Sequence, residues 1–165
     1  MRATTAAPTF FKPVLMGDDM YSDGGLIASN PTAVAIHEAR QLYPDVPIEM
    51  IVSIGTGEFV NEKLSPKFGW DGVISQIVKS ATDTSRTHWI VEDILGNGNT
   101  VQGVDTVSKT KYFRFDPIVG TSVDFPIDGT DKNQLEKLKR ITNAYMEEPE
   151  QREKLRRIGK ILGVQ

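Results

Sequence analysis

Residues 30–57 read NPTAVAIHEARQLYPDVPIEMIVSIGTG. The first half has the marks of a helix: Asn30 is a capping residue and Pro31 suits the first helical position. Ala35, Ala39 and Leu42 share one face, His37, Glu38 and Gln41 lie on another, and Pro44 marks the end. The second half, IEMIVSIGTG at 48–57, is a short β-branched apolar run closed by a glycine turn. It reads as a strand of a sheet covered on both faces. A helix followed directly by such a strand is the repeating unit of α/β architecture.

The same alternation continues along the chain. WDGVISQIVKSATDTSRTHWIVEDILG (70–96) reads as helical, with Val73, Ile77 and Ala81 on one stripe and, past a break, Val91, Ile94 and Leu95. TKYFRFDP (110–117) reads as an alternating strand ended by Pro117. Two amphipathic helices close the sequence. The first, 131–146, carries Leu135, Leu138, Thr142 and Tyr145 at three- and four-residue steps. The second starts with Pro149 and Glu150 and finishes basic, as the helix dipole favours. A strand before Asp23 would be a third in a chain otherwise short of strands.

With 165 residues the chain can form one domain burying about two-thirds of its unfolded surface. There is no cysteine, which excludes disulfides, thiolate chemistry and zinc–cysteine sites. No apolar run approaches the roughly 18 residues of a spanning helix, and MRATTAAPTF lacks the apolar core of a signal peptide. A formal charge of −3 argues against nucleic acid as the main partner.

Upstream of the helix stands MYSDGGLIASNPT (20–32). An Asp-Gly step is common turn chemistry. Two glycines also let the backbone turn through positive φ and hold a carboxylate at a loop edge, where it can act as a base. A calcium loop would need an oxygen ligand at Tyr21 and a glutamate at Asn30, and has neither.

Taken in order, the motifs at Arg2–Pro8, Asp23–Gly25, Asn30-Pro31 and Ile54–Gly57 resemble those of the patatin-like phospholipase family. ATDT, KYFRFDP and the closing helices are similar to its calcium-independent phospholipase A2 gamma branch. The resemblance implies the C-terminal portion of one patatin-like α/β domain, a sheet between helices, with 1–130 as catalytic-core part and 131–165 as terminal helices. It implies lipid acyl hydrolysis by a serine–aspartate dyad, with Asp23 as the base and Gly24 and Gly25 shaping its loop. The substrate it implies is a phospholipid or another acyl-ester lipid, with no metal or organic cofactor and a soluble or peripherally membrane-associated intracellular setting.

The family's nucleophile sits in a G-x-S-x-G elbow upstream of the aspartate, behind a glycine-rich oxyanion loop. Neither motif occurs here. GTSVD at 120–124 has Asp124 in place of the second glycine and the wrong chain order, and reads as a loop. Ser80 falls in a helical pattern, Ser53 in a strand, and Ser22 on the turn beside Asp23. The dyad serine is therefore expected in an upstream half of the same domain, and this polypeptide alone is expected to be inactive. The alternative is an inert lipid-binding or interaction module on the same scaffold.

Other constellations carry less. Gly55-x-Gly57 after a strand has no third glycine for a dinucleotide loop and reads as a tight turn. His37 and His88 have no ligating neighbours in sequence. Lys154, Arg156, Arg157 and Lys160 make the last helix basic opposite Leu155, Ile158 and Leu162, a pattern of either domain packing or anionic-membrane contact. Phe68 and Trp70 offer a second such contact, with ordinary packing as the alternative.

Overall fold

The computed structural model describes residues 2–8, 10–60, 83–95, 109–121, 124–125 and 129–164. Val73, Ile77, Ala81, Phe68, Trp70, Ser80 and Ser122 lie outside the described residues. The chain divides into two compact units, Met1–Val46 with Ser65–Ile94, and Pro47–Leu64 with Leu95–Gln165.

In the first unit a 3₁₀ turn, Ala3–Thr5, precedes a hairpin of β1 (Val14–Met16) and β2 (Asp19–Tyr21). The strands are antiparallel, with Val14 opposite Tyr21, Leu15 opposite Met20 and Met16 opposite Asp19. Gly17, at φ 65°, makes the turn. The stretch before Asp23 is thus two strands. A single-turn helix α1 (Gly25–Ala28) follows, then α2 (Thr32–Leu42) and α3 (Ser85–Leu95).

The start of α2 is tied down by Asn30, which is 5% exposed. Its Oδ1 accepts the Thr32 N–H (3.2 Å) and hydroxyl (2.6 Å), and its Nδ2 donates to the Thr84 carbonyl at 3.1 Å. The cap position is taken by Pro31 and the first helical position by Thr32, one residue later than the sequence reading; Asn30, just before the cap, holds Thr32 and ties the start of α2 to the segment before α3. The packed stripe of α2 differs from the expected one. Ile36 and Ala39 are half-buried, whereas Ala35 and Leu42 are exposed. The larger branched side chain one residue on takes the inward position that spacing alone gave to Ala35. In α3, Val91 and Leu95 are buried and Ile94 is exposed.

The second unit is built on two parallel strand pairs. β3 (Met50–Ile54) pairs with β5 (Lys111–Phe115) from Met50–Lys111 to Ile54–Phe115. β4 (Glu58–Phe59) pairs with β6 (Ile118–Gly120). Hydrogen bonds from Gly55 N–H to the Phe115 carbonyl (2.8 Å) and Glu58 N–H to the Pro117 carbonyl (2.9 Å) carry the ladder across the breaks at 55–57 and 116–117. The strand expected at 110–117 thus ends before Pro117, as its sequence predicts, and a second short strand, β6, starts just beyond it.

Among the described residues, Leu95, Tyr112, Phe113, Phe115, Val119 and Phe125 are the buried apolar side chains of this unit. Burial of Tyr112 and Phe113 alike shows that β5 is covered on both faces, so its alternation does not become an in-out pattern. β3 departs the other way. Ser53 is buried, but Val52 and Ile54 are exposed, the latter at 77%, so the expected cover on both faces is incomplete.

Helices α4 (Lys132–Glu147) and α5 (Pro149–Leu162) follow the sequence reading closely. Asp131 caps α4 by accepting the Gln134 N–H at 3.0 Å. In α4, Leu138, Ile141 and Tyr145 are half-buried and Leu135 and Thr142 exposed, which rotates the packed stripe from the expected one. Pro149 opens α5, and Gly163 closes it in the left-handed conformation at φ 69°. α5 lies over β5, with Lys154 Nζ 5.9 Å from the Phe115 ring centroid and Arg157 5.3 Å from that of Phe113. Among the described residues no helix is long and apolar enough to cross a membrane. Parallel strand pairs with helices place the chain in the α/β class.

Candidate active site around Asp23

Asp23 is held at both its backbone and its side chain. Ala6, 2% exposed, uses its carbonyl to accept the Asp23 N–H and the Ser22 hydroxyl, each at 3.1 Å. The neighbouring Ala7 carbonyl accepts the amides of Phe10 (3.1 Å) and Phe11 (2.9 Å). The Arg2–Pro8 segment is therefore the platform on which the Asp23 turn rests. The Asp23 carboxylate is half-buried, and its Oδ1 accepts the Gly25 N–H at 2.6 Å. Its Oδ2 accepts no hydrogen bond from the described residues. One oxygen thus fixes the carboxylate and the other remains available, an arrangement suited to a base.

The glycines act differently from expectation. Gly24 has φ −74°, and Gly25 is not among the glycines with positive φ, so the turn does not use the left-handed region. What Gly25 supplies is space: a Cβ there would stand 2.9 Å from Asp23 Oδ1. A Cβ on Gly24 meets nothing within 4 Å.

The other sequence candidates take up structural roles. The Ser22 hydroxyl is spent on Ala6, and Ser53 accepts from Arg114 Nη1 at 2.8 Å inside the sheet. At 120–124, Asp124 Oδ2 accepts the Thr121 hydroxyl (2.8 Å) and N–H (3.3 Å). The hydrogen bonds from the Thr121 side chain and backbone, with Lys137 nearby, hold the Asp124 carboxyl below its ordinary range. His37 is exposed, and His88 Nε2 lies 3.7 Å from Glu92 on the next turn of α3.

The glycine turn at 55–57 is filled by its own protein. Asp116 Oδ1 accepts the Gly57 N–H at 2.8 Å, while Oδ2 pairs with Arg114, both side chains nearly buried. A Cβ on Gly55 would lie 2.2 Å from the Asp116 carboxylate, and one on Gly57 (φ 106°) 2.5 Å from Val119. The Tyr145 hydroxyl accepts the Asp116 N–H at 3.3 Å, which joins the turn to α4. Sequence reasoning missed this clamp, although the Gly-x-Gly and Asp-Pro breaks each signal an interrupted strand.

Charges on α5 are used locally as well. Lys154 pairs with Glu150 (2.9 Å) and Arg156 with Glu153 (2.6 Å); Arg152 pairs with Glu147. The Arg156 hydrogen bonds hold Glu153 below its ordinary range.

The sequence that carries these residues is similar to known proteins. Residues 1–36, which contain both the Ala6 platform and Asp23, match the patatin-like phospholipase family model. Over 164 residues, 98% of the chain, the sequence is 34% identical to mouse calcium-independent phospholipase A2-gamma. It is 35% identical to the human protein of that name over 170 residues, and 28% identical to Arabidopsis thaliana phospholipase A I over 118 residues, 72% of the chain. The chain spans 19% of the length of the mouse and human relatives and 8% of the plant one. By its motifs and these matches, the chain is similar to the patatin-like phospholipase family over nearly its whole length.

Proposed function

We propose that this chain supplies the aspartate of a serine–aspartate acyl hydrolase whose whole protein cleaves a phospholipid acyl ester to a fatty acid and a lysophospholipid. The observation that carries the reading is the anchored Asp23 carboxylate, with Oδ1 held by the Gly25 amide and Oδ2 left to take a proton. Asp23 removes the proton of a serine Oγ as that oxygen bonds to the ester carbonyl carbon. The proton then passes to the departing lysophospholipid oxygen. Water attacks the acyl-serine with Asp23 again as base, and the serine is restored. The serine and the oxyanion donors come from an upstream half of the same domain. Within that domain, residues 1–130 belong to the catalytic core and 131–165 to its terminal helices.

A second reading, an inert lipid-binding module, is favoured by the absence of G-x-S-x-G and by the engaged hydroxyl of Ser22. A fluorophosphonate probe separates the two. A form extended upstream through a G-x-S-x-G segment is expected to label, and the 165-residue chain is not. Asp23→Asn in the extended form is expected to slow labelling by on the order of 10² to 10⁴-fold. Labelling of the short chain overturns the missing-serine account; labelling of neither form moves the assignment to the inert module.

A further inference from the structure

Asp23 is fixed from two directions. Upstream, the Ala6 carbonyl accepts its N–H at 3.1 Å and so places the backbone. Downstream, the Gly25 N–H holds Oδ1 at 2.6 Å and so sets the side-chain rotamer. Where Oδ2 points therefore depends on where the Gly25 amide stands, and that amide opens α1.

The four residues of α1 do not make a helix by themselves. A first turn fixes about six dihedral angles for one hydrogen bond, so it forms only where its surroundings hold it. The Gly24 carbonyl shares a peptide plane with the Gly25 N–H and accepts the amides of Ile27 (2.9 Å) and Ala28 (2.8 Å). The orientation of that plane, and with it the N–H that grips Asp23, is thus tied to the end of the turn. Ser29 closes the turn with a helical backbone, φ −59° and ψ −33°, and its hydroxyl donates to the Gly25 carbonyl. Next comes Asn30, buried, whose Nδ2 reaches the Thr84 carbonyl at 3.1 Å. That carbonyl stands in a settled frame. It also accepts the His88 N–H at 3.3 Å in the first turn of α3, and Asp83 Oδ1 beside it accepts the Ser85 N–H at 3.0 Å.

We infer that Asn30 is a positioning residue for Asp23: its tether to Thr84 holds α1 so that the Gly25 amide stands where it aims the carboxylate. The use of that aim rests on the acyl-hydrolase reading; the coupling rests on the hydrogen bonds alone. Without the tether α1 loosens, the Gly25 N–H strays, and the carboxylate spends less time in the rotamer that presents Oδ2. Proton removal slows, while the binding of a substrate or probe is untouched.

Asn30→Ser keeps an oxygen for the Thr32 N–H but is too short to reach Thr84. In the 165-residue chain it is expected to quicken amide exchange at Gly25, Ile27 and Ala28 by about tenfold, as loss of a supporting hydrogen bond does. Asp131→Ala, which removes the cap of α4, is a control of similar severity and is expected to leave those three amides unchanged. Coupling between two sites is reciprocal. Asp23→Ala, with Asn30 intact, is therefore expected to quicken exchange of the Thr32 amide that Asn30 Oδ1 holds. In the form extended upstream, Asn30→Ser is expected to lower the maximal rate of phosphonate labelling by about tenfold, with the half-saturating probe concentration unchanged. Added to Asp23→Asn, the same substitution is expected to slow labelling no further, because it acts through the carboxylate.

Unchanged Gly25 exchange in Asn30→Ser, equal quickening in Asp131→Ala, or an unmoved Thr32 amide in Asp23→Ala overturns the proposal. So does an additive loss in the double variant. Should Asn30→Ser not fold, the Thr32 amide in Asp23→Ala decides the matter. Exchange needs no turnover. Coupled exchange without labelling of the extended form therefore removes the hydrolase reading alone, and Asp23-dependent labelling that Asn30→Ser leaves unchanged removes the positioning role alone.

Discussion

The side chain of Asp23 and the hydrogen atom that stands for a side chain at Gly25 share one small volume. Gly25→Ala would push a methyl to within 2.9 Å of Oδ1 and turn the carboxylate away from its anchor. In the extended, active form we expect a loss in kcat/KM on the order of 10²-fold, the effect of misplacing a catalytic group by about 1 Å. Gly24→Ala meets open space at an ordinary φ, and is expected to raise the stability of this chain by about 0.4–1 kcal/mol, read from thermal unfolding. The sequence motif draws attention to both glycines alike. Only the rotamer of Asp23 separates them, and a rotamer set by a hydrogen bond two residues away leaves no periodic trace. The part of Ala6 was equally hidden, since a carbonyl acts there and any residue type carries one.

Among elements, α2, α4 and α5 were legible because their caps and prolines are local signals. β4 and β6 were not: each is short, and each exists only because the other lies beside it. The breaks that precede them are held by Asp116, whose carboxylate serves Gly57 and Arg114 together. Gly55→Ala would displace that carboxylate and leave the nearly buried Arg114 without its partner. We expect a cost of about 3–5 kcal/mol, measured by urea unfolding, and a similar cost for Asp116→Ala. The turn after β6 responds to acid with a defined sign. Asp124 has its pKa lowered by folding, so its contribution is present above the ordinary value of 3.8 and is lost as pH falls through the lower folded value. Removing the Thr121 hydroxyl, as in Thr121→Val, is expected to bring the Asp124 titration followed by NMR back toward 3.8.

At the scale of the whole chain, apolar exposure is the dominant property. Ile54 and Ile118 on the second unit's strands are exposed, as are Leu42, Tyr43 and Trp89 in the first unit. Open strand edges beside such side chains favour association. Light scattering after size exclusion is expected to find oligomers of the 165-residue chain, and a monodisperse monomer that unfolds cooperatively would contradict this. The α/β class was readable from the order of helix and strand alone. Which faces stay open was not, because hydrophobic pattern records what a side chain is suited to meet and not whether the partner is present.

The Asn30 junction has a consequence in chemical ageing. Its amide must give a hydrogen to Thr84 and accept two from Thr32, so conversion to a carboxylate would set oxygen against oxygen at the Thr84 carbonyl. Asparagine ordinarily deamidates when the next backbone nitrogen closes a ring onto its side chain. Here that nitrogen belongs to Pro31 and has no hydrogen to give up. The residue that ties down the start of α2 is thereby guarded against the ring-closing route by which asparagine most readily ages.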